Sequence, residues 1–139
     1  SHEGHDLLLR LLEAGYKTIY SPEICVKHRT APQGRPSWRR YYYDTRNQIW
    51  LAVRNYPISW ACRYLARGLT AMLLYAVRDG FCRYWVQGII DGVTGIRKVA
   101  KDRKPISRGT RKVLTQIASH RPGLVYTLRQ RLFKNEVRL

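Results

Sequence analysis

Residues 3–28 read EGHDLLLRLLEAGYKTIYSPEICVKH, and the fold class turns on them. Asp6–Ala14 carries Leu7, Leu8, Leu11 and Leu12 at i, i+1, i+4 and i+5, which places four leucines on one helical face. Asp6 falls in the first turn, where the positive end of the helix dipole favours an anion. Gly15 suits the left-handed residue that ends a helix. Tyr16–Tyr20 (YKTIY) and Ile24–His28 (ICVKH) are rich in aromatic and β-branched residues and flank a Ser21-Pro22-Glu23 turn. They are predicted as a short β pair.

Outward from this stretch the pattern becomes helical. Arg29–Ser37 holds two prolines and a glycine and reads as a loop. Trp38–Tyr56 reads as a helix ending before Pro57, and Pro57 suits the first turn of a second helix running to about Arg78. Asp79-Gly80 breaks that helix. Phe81–Ala100 forms a third, with glycines at 88, 92 and 95. After Pro105 come two short basic helices, Arg108–Ser119 and Leu124–Lys134. The expected fold is therefore mainly α with a short N-terminal β pair. Its parts are residues 1–34, a helical region at 35–104 and a basic helical tail at 105–139.

The 139 residues carry 26 Lys and Arg against 9 Asp and Glu, a formal net charge of +17. Residues 1–28 are net −1, residues 29–96 net +7 and residues 97–139 net +11. Catalytic carboxylates are thus to be sought in the first segment and anion contacts in the other two. An apolar fraction of 45% argues against wholesale disorder, and the length allows about one domain. Cys25, Cys62 and Cys82 are odd in number and form no CxxC, which argues against a disulfide framework or zinc ribbon and for a reducing compartment. No signal peptide is visible in residues 1–15. The chain reads as a piece of something longer.

Ile58–Val77 is the most apolar helical stretch, but Arg63 and Arg67 lie near its middle. Two central arginines cost about 5–7 kcal/mol on insertion scales, so a clean membrane span is rejected. Their i, i+4 spacing leaves the opposite face apolar, as suits a helix lying in a membrane interface or packed on a protein core. Gly88 and Gly92 permit close helix approach in either setting.

Five short motifs occur in order. They are Glu3-Gly4-His5-Asp6-Leu7 with Arg10, Ala14-Gly15-Tyr16, Tyr20-x-Pro22-Glu23, Val26-x-His28, and Tyr42-Tyr43-Asp44-Thr45-Arg46-Asn47. Together they resemble the C-terminal half of the catalytic domain of family 2 glycosyltransferases, the inverting GT-A enzymes, over residues 3–55. There the corresponding segments usually read E-D-x-D-L-x-x-R, A-G-Y, Y-x-P-E/D, V-x-H and Y-Y-x-x-R-N. The resemblance implies that the β pair joins a mixed α/β GT-A sheet. It also implies transfer of a sugar from a nucleotide-sugar donor to a cell-envelope glycan or lipid-linked acceptor, at the cytoplasmic face of the membrane.

Inverting transfer needs a base for the acceptor hydroxyl. It also needs positive charge for the departing nucleoside diphosphate. By resemblance, Glu3 and Asp6 belong to the acidic cluster. His28 matches the residue that contacts a divalent metal, Mg or Mn, or the diphosphate. Arg10, Arg46 and Asn47 fall among the substrate-binding positions. The residue two before Asp6 is normally the acidic base, and here it is Gly4. Glu3 is the first substitute, Asp6 the second and His5 the third. The chain contains no D-x-D and no Gly-rich phosphate loop, so the donor sugar nucleotide is expected to be held upstream.

Two other readings compete. The basic charge, four Trp and ten Tyr would serve nucleic-acid binding, but no recognised motif of that kind appears and the acidic first segment has no role in it. A peripheral membrane protein without catalysis is the other.

Overall fold

The computed structural model describes residues 2–19, 21–27, 37–119, 123, 125 and 126. Among them are six helices: α1 (Glu3–Glu13), α2 (Trp38–Asn55), α3 (Ile58–Arg78), α4 (Cys82–Thr94), α5 (Ile96–Ala100) and α6 (Arg108–Ser119).

The central element is α2. It buries Tyr41, Thr45, Gln48, Ile49, Leu51, Ala52 and Asn55, and a hydrophobic cluster sits at each of its ends. At the C-terminal end, Leu9, Leu51, Ala52, Tyr56 and Ile106 are packed by Trp60, Tyr64, Leu65 and Leu114. At the N-terminal end, Tyr41, Tyr75 and Ala76 are packed by Met72, Phe81, Tyr84 and Trp85. Between them α4 lies against α2 through glycines. A methyl group added at Gly88 would stand 2.7 Å from the Tyr42 carbonyl oxygen, and one added at Gly92 would stand 3.3 Å from Ile49 Cβ. Only residues without a side chain let the two backbones approach this closely, so the glycine spacing marks the α2–α4 seam.

Gly15 and Gly80 each end a helix by the same left-handed geometry. Gly15 has φ 83° and Gly80 φ 76°. After α1, the Tyr16 amide donates to Leu11 O at 3.0 Å and the Gly15 amide to Leu12 O at 3.1 Å. After α3, the Phe81 amide donates to Ala76 O at 2.7 Å and the Gly80 amide to Val77 O at 3.3 Å. This pairing satisfies the last carbonyls of a helix when the residue after the cap is left-handed. The helix expected over Phe81–Ala100 is divided at Gly95 into α4 and α5.

The end of α2 is closed from far along the chain. Arg103 donates to the carbonyls of Val53 and Tyr56, the latter at 2.9 Å. The Lys104 and Ile106 amides donate to Arg54 O and Asn55 O at 2.9 and 2.8 Å. These bonds fill acceptors that a helix leaves unpaired at its C-terminus, where a cation is also favoured by the dipole. Residues 103–106 thereby hold α6 beside α1. Ser107 Oγ accepts from the Thr110 amide at 3.2 Å, capping α6, and Glu13 accepts from the Ser107 amide at 2.8 Å.

Two expectations are corrected. The β pair at 16–20 and 24–28, and with it the assignment to an α/β GT-A sheet, is overturned: among the described residues there is no strand. Ile19 is 84% exposed and Val26 84%, so the β-forming side chains meet no partner surface. An isolated pair of short strands is marginal in water without a further strand or a packed face. Tyr20 and His28 lie outside the described residues. In α1, the inward residue is Leu9, fully buried, while Leu7 is 58% exposed. Leucines at 7, 8, 9, 11 and 12 surround much of the helix, and His5 contacts with Tyr56 and Tyr64 fix the rotation instead.

Candidate functional site

α1 and α2 each turn one helical face toward a shared cleft. The α1 face is Glu3, Asp6, Leu7 and Arg10, and the α2 face is Asn47, Trp50, Leu51 and Arg54. Both sets run i, i+3, i+4, i+7, the spacing of neighbours on one side of a helix. His2 and Val99 complete the lining of a cleft of about 520 Å³.

Asp6 is the knot of the site. Its Oδ1 accepts from the Asn55 amide at 2.8 Å. Its Oδ2 lies 2.8 Å from Arg10 and 3.8 Å from Arg54. Asn55 is itself buried and also donates to Leu51 O at 3.1 Å, so the carboxylate is tied to the core. Arg10 and Arg54 side chains stay 51% and 32% exposed, leaving guanidinium surface open to an anion.

The sequence-predicted residues divide as follows. Glu3, Asp6, Arg10 and Asn47 come together in the cleft, although Arg10 and Asn47 are far apart in the chain. Glu3 stands in the first turn of α1, one turn before Asp6 and exposed. Arg46 does not line the cleft. Its guanidinium lies 4.4 Å from the Trp50 ring and 5.4 and 5.0 Å from those of Tyr42 and Tyr43, and its Nε donates to Asn47 Oδ1 at 3.1 Å. Arg46 thus braces two cleft residues, Trp50 by its face and Asn47 by its amide. His5 is turned away from the cleft, with Nε2 3.1 Å from the Tyr56 hydroxyl.

His28 falls outside the described residues, and among those described no group of three or more His, Cys, Asp and Glu could hold a metal ion. Asp6 is already committed to two guanidinium groups and an amide, so it does not fit as a divalent-metal ligand in this arrangement.

Sequence reasoning missed His2 and Arg54. Extending Asn47 by helical periodicity reaches Trp50 and Arg54 directly, so that signal was present. His2 approaches the Tyr64 hydroxyl at 3.5 Å, and burial holds its imidazole below its ordinary 6.5, favouring the neutral ring at neutral pH. Trp50 is fixed by its indole N–H, which donates to Gly92 O at 3.0 Å. Among the described residues no helix is long and apolar enough to cross a membrane.

No family model, no curated protein and no solved structure matches this chain.

Proposed function

We propose that this chain supplies the acceptor-side cleft of an inverting glycosyltransferase related to family 2. The observation that carries the reading is the convergence of Glu3, Asp6, Arg10 and Asn47 on one cleft with Arg54. Glu3 acts as the base that takes the acceptor hydroxyl proton as oxygen attacks the anomeric carbon. Asp6, with both oxygens engaged, positions Arg10 and Arg54 instead. Those two guanidinium groups meet the negative charge that develops on the leaving diphosphate. A divalent ion, Mg or Mn, belongs to the proposal only through His28 and donors outside the described residues. The donor nucleotide sugar is held by polypeptide beyond these residues, since the chain has no D-x-D.

The acceptor is a cell-envelope glycan or lipid-linked sugar, and the site works at the cytoplasmic face of the membrane. α4 supports that placement. Val86, Ile90 and Val93 stand at i, i+4 and i+7, 46%, 54% and 54% exposed, with Arg83, Arg97 and Lys98 exposed on α4 and α5. An apolar stripe flanked by cations suits an anionic lipid surface.

The test is release of nucleoside diphosphate from UDP-, GDP- and dTDP-sugars by a polypeptide carrying both this chain and the donor-binding half. Arg54→Ala is expected to lower turnover efficiency by about tenfold or more. Absence of turnover with every donor, alongside binding to phosphatidylglycerol vesicles, would replace this reading with the non-catalytic membrane protein.

A further inference from the structure

A second cleft of about 410 Å³ lies at the other end of α2, lined by Trp38, Tyr42, Tyr84, Gln87, Ile90 and Asp91. It is joined to the first by a single row of side chains. Trp38, Tyr42, Arg46, Trp50 and Arg54 follow one another at i+4 along α2. Trp38 and Tyr42 line the distal cleft, Trp50 and Arg54 line the proximal one, and Arg46 stacks on both Tyr42 and Trp50 between them. From Tyr42 to Trp50 the helix rises about 12 Å.

The distal lining selects its ligand by chemistry. The Trp38 ring stacks on Tyr84 at 4.9 Å between centroids, so the aromatic wall is rigid. Asp91 accepts from the Tyr42 hydroxyl, and Gln87 is exposed beside it with both amide functions. No Lys or Arg lines this cleft, and Arg46, held over the lining Tyr42, offsets the Asp91 carboxylate, so the cleft selects neither an anion nor a cation by net charge. What remains is a neutral polyhydroxylated molecule: sugar C–H faces lie on aromatic rings, and sugar hydroxyls donate to carboxylate and amide oxygens.

We propose that the distal cleft is a second carbohydrate subsite, and that the acceptor is an extended glycan lying along α2 from Trp38 to Arg54. This rests on the glycosyl-transfer reading of the proximal cleft and adds that the acceptor is a chain several sugars long.

The experiment is isothermal titration of the full chain with cello-, chito- and malto-oligosaccharides of two and six residues. In at least one series the six-residue sugar is expected to bind about tenfold tighter than the two-residue one. Trp38→Ala and Gln87→Ala should each bring that ratio close to unity. Gln87 is exposed on α4, so its replacement keeps the fold if Trp38→Ala does not. Equal affinity for short and long sugars, no binding in any series, or a ratio untouched by Gln87→Ala overturns the proposal. Turnover measured in parallel on the polypeptide that also carries the donor-binding half separates the two claims. Nucleotide-sugar turnover without length dependence removes only the distal subsite, whereas length-dependent binding without turnover removes only the transfer reaction.

Discussion

The Asn55 side-chain amide donates to Asp6 Oδ1 at 2.8 Å, joining the start of α1 to the last turn of α2. Asn55 is 5% exposed, so its donor has no ready replacement in water. Asp6→Ala should therefore lower stability by about 1–3 kcal/mol, the cost of a buried polar group left unpaired. The check is the urea midpoint, which should fall while the slope stays constant.

The α2–α4 seam predicts opposite outcomes for one type of substitution. Gly88→Ala places a methyl 2.7 Å from the Tyr42 carbonyl oxygen and 3.0 Å from Thr45 Cβ, a backbone clash that no side-chain rotation relieves. A loss of about 1–3 kcal/mol is expected. Gly4→Ala meets nothing within 4 Å and lies in α1, so it should gain up to about 1 kcal/mol from helix propensity. Thermal denaturation of both variants checks the pair.

Arg103 reaches the Val53 and Tyr56 carbonyls at the C-terminal end of α2. Arg103→Gln should cost about 1.5–3 kcal/mol, the range for hydrogen bonds to a charged group. Arg103→Lys should recover part of that, since the charge still meets the helix terminus while the fork that spans two carbonyls is gone. Chemical denaturation of the three proteins orders them as wild type, Lys, Gln.

Asp79 sets an acid limit. The Arg78 hydrogen bond, and then that from Tyr41, hold its carboxyl below its ordinary 3.8. A depressed carboxylate contributes stability above its unfolded value and loses it as pH falls through the lower folded value. Unfolding midpoints should therefore drop below about pH 4, and Asp79→Asn should flatten that part of the profile. The same contact, after burial, pushes the Tyr41 phenol up to about 12.

The helical part of the fold was legible where local signals agree. Asp79-Gly80 marks the α3 terminus because only glycine takes the left-handed turn cheaply, and Ser107 marks the α6 start because its hydroxyl caps Thr110. The β pair was misread because Tyr16, Ile19, Ile24 and Val26 are strand-like in composition but stay exposed, without a surface to bury them. Composition reports what a side chain suits, and pairing partners decide whether the strand forms. In the site, Glu3, Asp6 and Arg10 share one short helix and could be grouped by spacing. Asn47 needed the fold to reach them. Arg103 at the end of α2 is a contact between residues about fifty apart, and nothing local encodes it.

The most direct measurement is the rate of nucleoside diphosphate release by the polypeptide that carries both this chain and the donor-binding half, as wild type, Glu3→Gln and Asp6→Asn, with the thermal midpoint of each. If Glu3 is the base and Asp6 the positioning group, Glu3→Gln slows turnover by about 10²–10⁴-fold and lowers the midpoint less than Asp6→Asn does. Asp6→Asn then lowers both rate and midpoint. A Glu3→Gln protein that turns over at the wild-type rate would contradict the assignment of this cleft to sugar transfer.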